Sequence, residues 1–143
     1  MKKILCKVFM ACYLVGMICL VSACNDGLDI QKSYLFTVTT MPVQSKIKIG
    51  ETAEIRFQLN RLGKYTDTKY FIRYFQVDGK GALKMENDTV FRPNDLYPLS
   101  NETFRLYYTS ACTDQQTINI YIVDSFGQVQ QVSFSFNNES SEK

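Results

Sequence analysis

A two-residue rhythm, repeated along the chain, restricts the fold more than any other feature. From Thr52 to Asn60, Ala53, Ile55, Phe57 and Leu59 alternate with Glu54, Arg56 and Gln58. From Thr103 to Thr109, Phe104, Leu106 and Tyr108 alternate with Thr103, Arg105 and Tyr107. From Thr117 to Val123, Ile118, Ile120 and Ile122 alternate with Thr117, Asn119 and Tyr121. Successive side chains of a strand point to opposite faces, so an apolar set opposed by a polar set marks a half-buried strand. No long window carries the 3.6-residue period of an amphipathic helix. The domain is therefore expected to be all-β.

Other segments add strands and the turns between them. Leu35 to Thr40 is β-branched and aromatic and is ended by Pro42. Ile47 and Ile49 precede a turn at Gly50-Glu51. Lys69 to Val77 runs into the turn Asp78-Gly79-Lys80-Gly81. Leu83 and Met85 mark a short strand closed by Glu86-Asn87-Asp88, and a brief one at Thr89 to Phe91 stops at Pro93-Asn94-Asp95. Asp124-Ser125-Phe126-Gly127 is a hairpin loop in which Gly127 supplies a positive φ. In the last strand, Val129 to Phe136, Val132, Phe134 and Phe136 share a face and Val129 is out of phase, which predicts a bulge near Gln130-Gln131. This spacing predicts an immunoglobulin-like β-sandwich of about seven strands. The ending "YIVDSFGQVQQVSFSF" resembles the final hairpin of immunoglobulin-like bacterial domains, and Gly50 to Leu59 resembles their second strand. No Cys–Trp–Cys core is present, so the variant would be free of disulfides.

The amino-terminal segment reads as an address. Lys2, Lys3 and Lys7 precede an uncharged, almost wholly apolar run from Val8 to Val21. A spanning helix needs about 20 residues, so the run fits a signal-peptide core better than a membrane anchor. It ends in Val21-Ser22-Ala23-Cys24, which resembles the lipobox of bacterial lipoproteins. The expected organisation is a cleaved lipoprotein signal peptide over 1–23, a lipidated Cys24 with a polar tether over 24–33, the sandwich over 34–138 and a polar tail over 139–143. The alternative is an ordinary signal peptide with an incidental Cys, or an uncleaved short anchor. Acyl chains, palmitate among them, bind membranes by burying methylenes at about 0.8 kcal/mol each.

Cleavage changes the charge balance. The chain has 16 basic and 14 acidic residues, a net charge of +2. Residues 1–23 take three lysines and no acid, so the mature chain carries −1. Four of the five cysteines lie in the signal or at the lipid site, which leaves Cys112 alone and the fold dependent on its core. Cys112 has no adjacent base or cation in sequence and reads as a small half-buried residue rather than a reactive thiol.

Chemistry-bearing motifs are scarce. The chain has no His, which removes imidazole as a base or metal ligand. Gly79 and Gly81 lack the rest of a phosphate-binding fingerprint. Asp26, Asp29, Glu86 and Asp88 do not follow the spacing of a calcium loop and read as solvated loop charges. No metal, cofactor, small-molecule substrate or catalytic residue is expected, and the chain is read as not an enzyme.

Two features go beyond a plain sandwich. If Tyr70, Ile72 and Tyr74 face the core, then Phe71, Arg73, Phe75 and Val77 face outward. Arg105, Tyr107, Tyr121 and Val123 also point away from their core faces. Phe71, Arg73, Phe75, Arg105, Tyr107 and Tyr121 form the candidate interaction face, because outward aromatics with Arg match interface chemistry. The competing reading is that loops or a flanking hairpin cover these rings. Stacking on single-stranded nucleic acid needs a basic groove, and a mature charge of −1 argues against it. The second feature is Asp88-Thr89-Val90, which resembles a short acceptor motif for O-glycosylation of exported proteins, with Thr89 as the acceptor. A chance three-residue match is the alternative.

Longer blocks carry a family resemblance. "TVTTMPV", "GETAEIRFQL", "YFIRYFQVDGKGALKM", "FRPNDLYPL" and "ETFRLYYTSACTDQQTINIYIVDSFGQVQQVSFSFNNE" resemble the TraQ lipoproteins of conjugative transposons over about Leu35 to Glu139. Cys112 falls where a small residue such as Ser is expected in relatives. The resemblance implies a lipid-anchored protein of the cell envelope, at the outer membrane, serving a mating apparatus as a non-catalytic accessory component. Its partners would be the membrane, through the lipid, and other conjugation proteins. A surface adhesive or carbohydrate-binding module is the alternative function, disfavoured by the absence of Trp for sugar stacking.

Overall fold

A computed structural model describes residues 1–4, 7, 34–63 and 67–138. Cys24, the tether, the tail and most of the signal segment lie outside the described residues. The chain divides into two compact units, Met1–Ile30 and Gln31–Lys143. In the first, Lys2 to Ile4 and Lys7 are helical. Among the described residues no helix is long and apolar enough to cross a membrane.

The second unit is built of strands β1 (Phe36–Thr40), β2 (Lys46–Ile47), β3 (Thr52–Arg61), β4 (Tyr70–Asp78), β5 (Gly81–Met85), β6 (Tyr97–Leu99), β7 (Thr103–Ser110), β8 (Gln116–Asp124) and β9 (Val129–Asn138). They form two sheets, β1-β3-β7-β5 and β2-β9-β8-β4-β6. The first sheet has the order of an immunoglobulin A-B-E-D sheet, and β9-β8-β4 has the order of its G-F-C partner. The short β2 pairs in parallel with β9, while β1 pairs antiparallel with β3, so the first part of the domain contributes to both sheets.

Alternation decides which side of each strand is buried. Ala53, Ile55, Phe57 and Leu59 of β3, Leu106 and Tyr108 of β7, and Ile118, Ile120 and Ile122 of β8 are all at most 1% exposed. Aromatic pairs join the sheets across the core. Phe36 meets Tyr70 edge-on with centroids 5.1 Å apart, Phe57 meets Phe134 at 5.8 Å, and Tyr108 stacks on Phe136 at 5.1 Å. Such pairs contribute about 0.5–1.5 kcal/mol beyond the area they bury. The core therefore stands without a disulfide. Cys112 is a free, half-buried thiol whose Sγ accepts from the Lys80 backbone N at 3.1 Å, tying the β7–β8 turn to the β4–β5 turn.

Several local expectations change. Among the described residues nine strands form where about seven are expected, because the two-residue β2 and the three-residue β6 also pair. Thr89 to Phe91 is not a strand of its own; Val90 makes a single antiparallel bridge to Lys84. The bulge expected near Gln130-Gln131 is absent, since β9 keeps an unbroken register with β8 from Val123↔Val129 to Gln116↔Phe136. Val129 is out of phase because it faces outward, at 48% exposure. The irregularity lies in β4, where the register shifts between Gln76 and Asp78. Val77 is the extra residue there, and it is exposed.

The strands run between two ends of the sandwich. The chain enters at one end, beside Tyr34, and the β3–β4, β6–β7 and β8–β9 connections lie at that same end. Arg61 at the end of β3 reaches Glu102 of the β6–β7 connection at 2.9 Å and lies over the Tyr70 ring at 4.9 Å. Asp124, buried at the end of β8, accepts from the backbone N of Phe126 at 2.9 Å and of Gln128 at 2.7 Å, which closes the hairpin loop around Gly127 (φ 88°).

Candidate functional site

The six residues proposed from sequence do not make one surface. Phe71, Arg73 and Phe75 lie on β4 and Tyr121 on β8, neighbouring strands of the five-stranded sheet. Arg105 and Tyr107 lie on β7 of the other sheet and face the opposite side of the sandwich. The candidate face therefore divides in two, and the two parts differ in chemistry.

On the outer face of the four-stranded sheet the charges are paired. Arg56 Nε sits 2.6 Å from Glu54 Oε1, and Arg105 approaches the same oxygen at 3.6 Å. Lys84 lies 6.0 Å above the Tyr107 ring and 3.0 Å from Asp88. An open groove of about 460 Å³ crosses this side, with Arg56, Gln58, Thr103 and Arg105 in its lining. Met41, Phe57 and Phe104 also line it, so apolar area is present here too; what sets this side apart is that its two arginines share the Glu54 carboxylate.

The outer face of the five-stranded sheet is different. Its register lays the outward residues in rows across the strands. Pro98, Phe71, Val123 and Val129 form an apolar row through β6, β4, β8 and β9. Arg73, Tyr121 and Gln131 form the next, and Phe75, Asn119 and Ser133 the third. Across these three rows Arg73 is the one charged side chain. Its guanidinium carbon lies 5.6 Å from the Phe75 centroid and 5.4 Å from that of Tyr121. The two rings meet edge-on at 5.7 Å. Each cation–π contact contributes about 0.5–1 kcal/mol at an exposed site.

This packing fixes Arg73 without neutralising it. Among the described residues its one polar side-chain contact is Nη1 to Asn94 Oδ1, at 3.5 Å, the limit of a hydrogen bond. Its Nε is buried without a hydrogen-bond partner among the described residues. Phe71, Phe75 and Tyr121 are half-buried, so the rings are partly covered by their neighbours while still presenting area outward. The result is an aromatic and aliphatic patch holding one cation that no described residue pairs. Sequence alternation revealed that these residues point outward. It could not show that Val129 and Pro98 extend the patch, because that depends on register.

The remaining expected site residue, Thr89, follows the Asp88 turn, where φ is +62°. Its backbone N donates to Asn87 Oδ1 at 3.2 Å and its side chain is half-buried. Among the described residues no three of His, Cys, Asp and Glu cluster as metal ligands would.

These features define an all-β sandwich with an outward aromatic–Arg patch on one sheet. The chain belongs to the TraQ conjugal transfer protein family, whose model matches residues 7–139. It is similar to a lipoprotein from Bacteroides thetaiotaomicron solved by NMR, with 68% identity and a TM-score of 0.69, over 82% of this chain and 90% of that one. A conjugative transposon lipoprotein from Bacteroides eggerthii shares 47% identity and a TM-score of 0.70, over 74% of this chain and 100% of that one. A conjugate transposon protein from Bacteroides vulgatus, also solved by NMR, shares 47% identity and a TM-score of 0.67, over 82% of this chain and 96% of that one. No curated protein matches the chain.

Proposed function

We propose that this protein is a non-catalytic, membrane-anchored accessory component of a conjugative transfer apparatus, and that it acts by binding another component through the outer face of its five-stranded sheet. Membership of a conjugal transfer family and the lipoprotein names of its relatives support the setting. Lipidation at Cys24 and attachment to the envelope, at the outer membrane, belong to this reading. A glycan on Thr89 belongs to it as well, and an intact mass above that of polypeptide plus lipid tests it.

One observation carries the choice of face. Arg73 is held between Phe75 and Tyr121 with no carboxylate among the described residues to pair it, whereas Arg56 and Arg105 of the opposite sheet share Glu54. An unpaired guanidinium framed by apolar area calls for a partner that presents a carboxylate within an apolar surround. Arg and Tyr are enriched among residues that dominate binding energy for this reason. The chemistry is recognition without turnover.

The test is capture of transfer-apparatus proteins on the lipidated chain and on a Phe75→Asp variant. Loss of a specific partner by a folded variant supports the reading. Unchanged capture by a folded Phe75→Asp chain contradicts it. Glycan-array binding separates the adhesive alternative.

A further inference from the structure

The end of the sandwich at which the chain enters carries exposed apolar side chains that the core does not use. Leu35 is 65% exposed and Leu62 73%. They are neighbours, since the Leu62 backbone N donates to the Leu35 carbonyl at 3.0 Å. Tyr34 packs over Gly63, where a Cβ would fall 2.4 Å from its ring. Gln128 donates to the Tyr34 carbonyl at 3.2 Å, which brings the β8–β9 loop and its 42% exposed Phe126 to the same end. Val129, the outward end of the apolar row, begins the next strand. Among the described residues, the charges at this end do not shield the apolar group. Arg61 is paired with Glu102, Asp124 is buried within its loop, and Lys69 and Asp67 are exposed and opposite in sign.

We infer that this end is a bilayer-docking surface, in which Leu35 and Leu62 enter the interfacial layer of the membrane to which Cys24 is attached. The inference rests on the lipid anchor proposed above and adds an orientation to it. Nine residues lie between Cys24 and Tyr34, a reach of at most about 35 Å, so the anchor brings this end of the domain to the lipid first. An exposed Leu pair held just beyond the ends of the adjacent strands β1 and β3 can then bury its side chains beside the acyl chains. A domain seated this way stands with its strands rising from the membrane. The Arg73 patch is then presented sideways, to a partner that is itself close to the bilayer.

The chain has no Trp, so a single introduced indole reports one position alone. Leu62→Trp and Ile49→Trp place it at exposed sites at the two ends, because Ile49 precedes β3 at the end remote from Tyr34. Each lipidated protein is reconstituted in phosphatidylethanolamine–phosphatidylglycerol vesicles, with and without brominated acyl chains, and floated. The expected result is at least twofold quenching of Leu62→Trp, a blue shift of its emission, no change for Ile49→Trp, and relief of quenching when Leu35→Asp is added. Unquenched Leu62→Trp in floating vesicles overturns the proposal. Failure of the cell-derived chain to float overturns the anchor instead. Docking is then read on the Cys112→Ser chain starting at Cys24, coupled through that thiol to a maleimide lipid.

Discussion

The Tyr108 hydroxyl donates to Gln116 Oε1 at 2.9 Å, and the two residues belong to opposite sheets. Both are fully buried. The same hydroxyl meets the Gln76 side chain at 3.0 Å, and Gln116 Nε2 donates to Ser110 Oγ at 2.8 Å. A polar network thus crosses one end of an otherwise apolar core, joining β4, β7 and β8. Buried polar groups of this kind stabilise only while every member is paired. Tyr108→Phe is expected to cost about 1–3 kcal/mol, because Gln116 and Gln76 would lose a buried partner. Urea unfolding measures it, and a double-mutant cycle with Gln116→Leu should show non-additive coupling.

The same hydroxyl explains a glycine. A Cβ on Gly81 would lie 2.2 Å from the Tyr108 oxygen, whereas a Cβ on Gly127 meets nothing within 4 Å. Gly81→Ala should therefore destabilise sterically, by about 1–3 kcal/mol as the packed ring is displaced. Gly127→Ala should cost about 1–2 kcal/mol through its φ of 88° alone. Thermal melts of the two variants, with a crystal structure or NOEs at Tyr108, separate the causes.

Alkaline pH should unfold the domain through its core tyrosines. Burial raises the pKa of Tyr108, Tyr74 and Tyr70 above the ordinary tyrosine value of 10.0. The folded state therefore holds these protons after the unfolded chain has begun to release them. Stability from this source is fully present below pH 10 and falls as the pH rises from there toward the folded values. Denaturant midpoints measured between pH 9 and 11.5 should decline, and Tyr108→Phe should flatten the decline.

Asp124 closes the last hairpin with both carboxylate oxygens. Oδ1 accepts from Phe126 N and Gln128 N, and Oδ2 accepts from Gln128 Nε2 at 2.9 Å. Asp124→Ala should cost about 2–3 kcal/mol, since charge-assisted hydrogen bonds are lost from a buried site. Amide exchange should also quicken at Phe126 and Gln128.

Alternation made the strands legible but could not assemble them. β3, β7 and β8 are visible in sequence because each has one apolar and one polar side. β6 was not, since Tyr97-Pro98-Leu99 is too short for a rhythm and carries a proline tolerated only because it is an edge strand. The break in phase at Val129 suggests a bulge in β9, yet Val129 is simply an outward valine completing a row with Phe71 and Val123. The candidate face shows the same limit. Period two separates inward from outward residues, but the sheet that Arg105 and Tyr107 join is set by strand order, which the local pattern does not encode. Their separation from Arg73 followed only from topology.

The central claim is that the five-stranded sheet, through the Arg73 patch, is the working surface. A photo-crosslinking amino acid placed at Phe71, at Phe75 or at Tyr121, and for comparison at Tyr107 or Thr37 on the other sheet, tests it in cells carrying out transfer. The prediction is one shared crosslinked partner from the first three positions and none from the last two. Equal crosslinking from both sheets, or none from Phe71, Phe75 and Tyr121 while transfer proceeds, would contradict it.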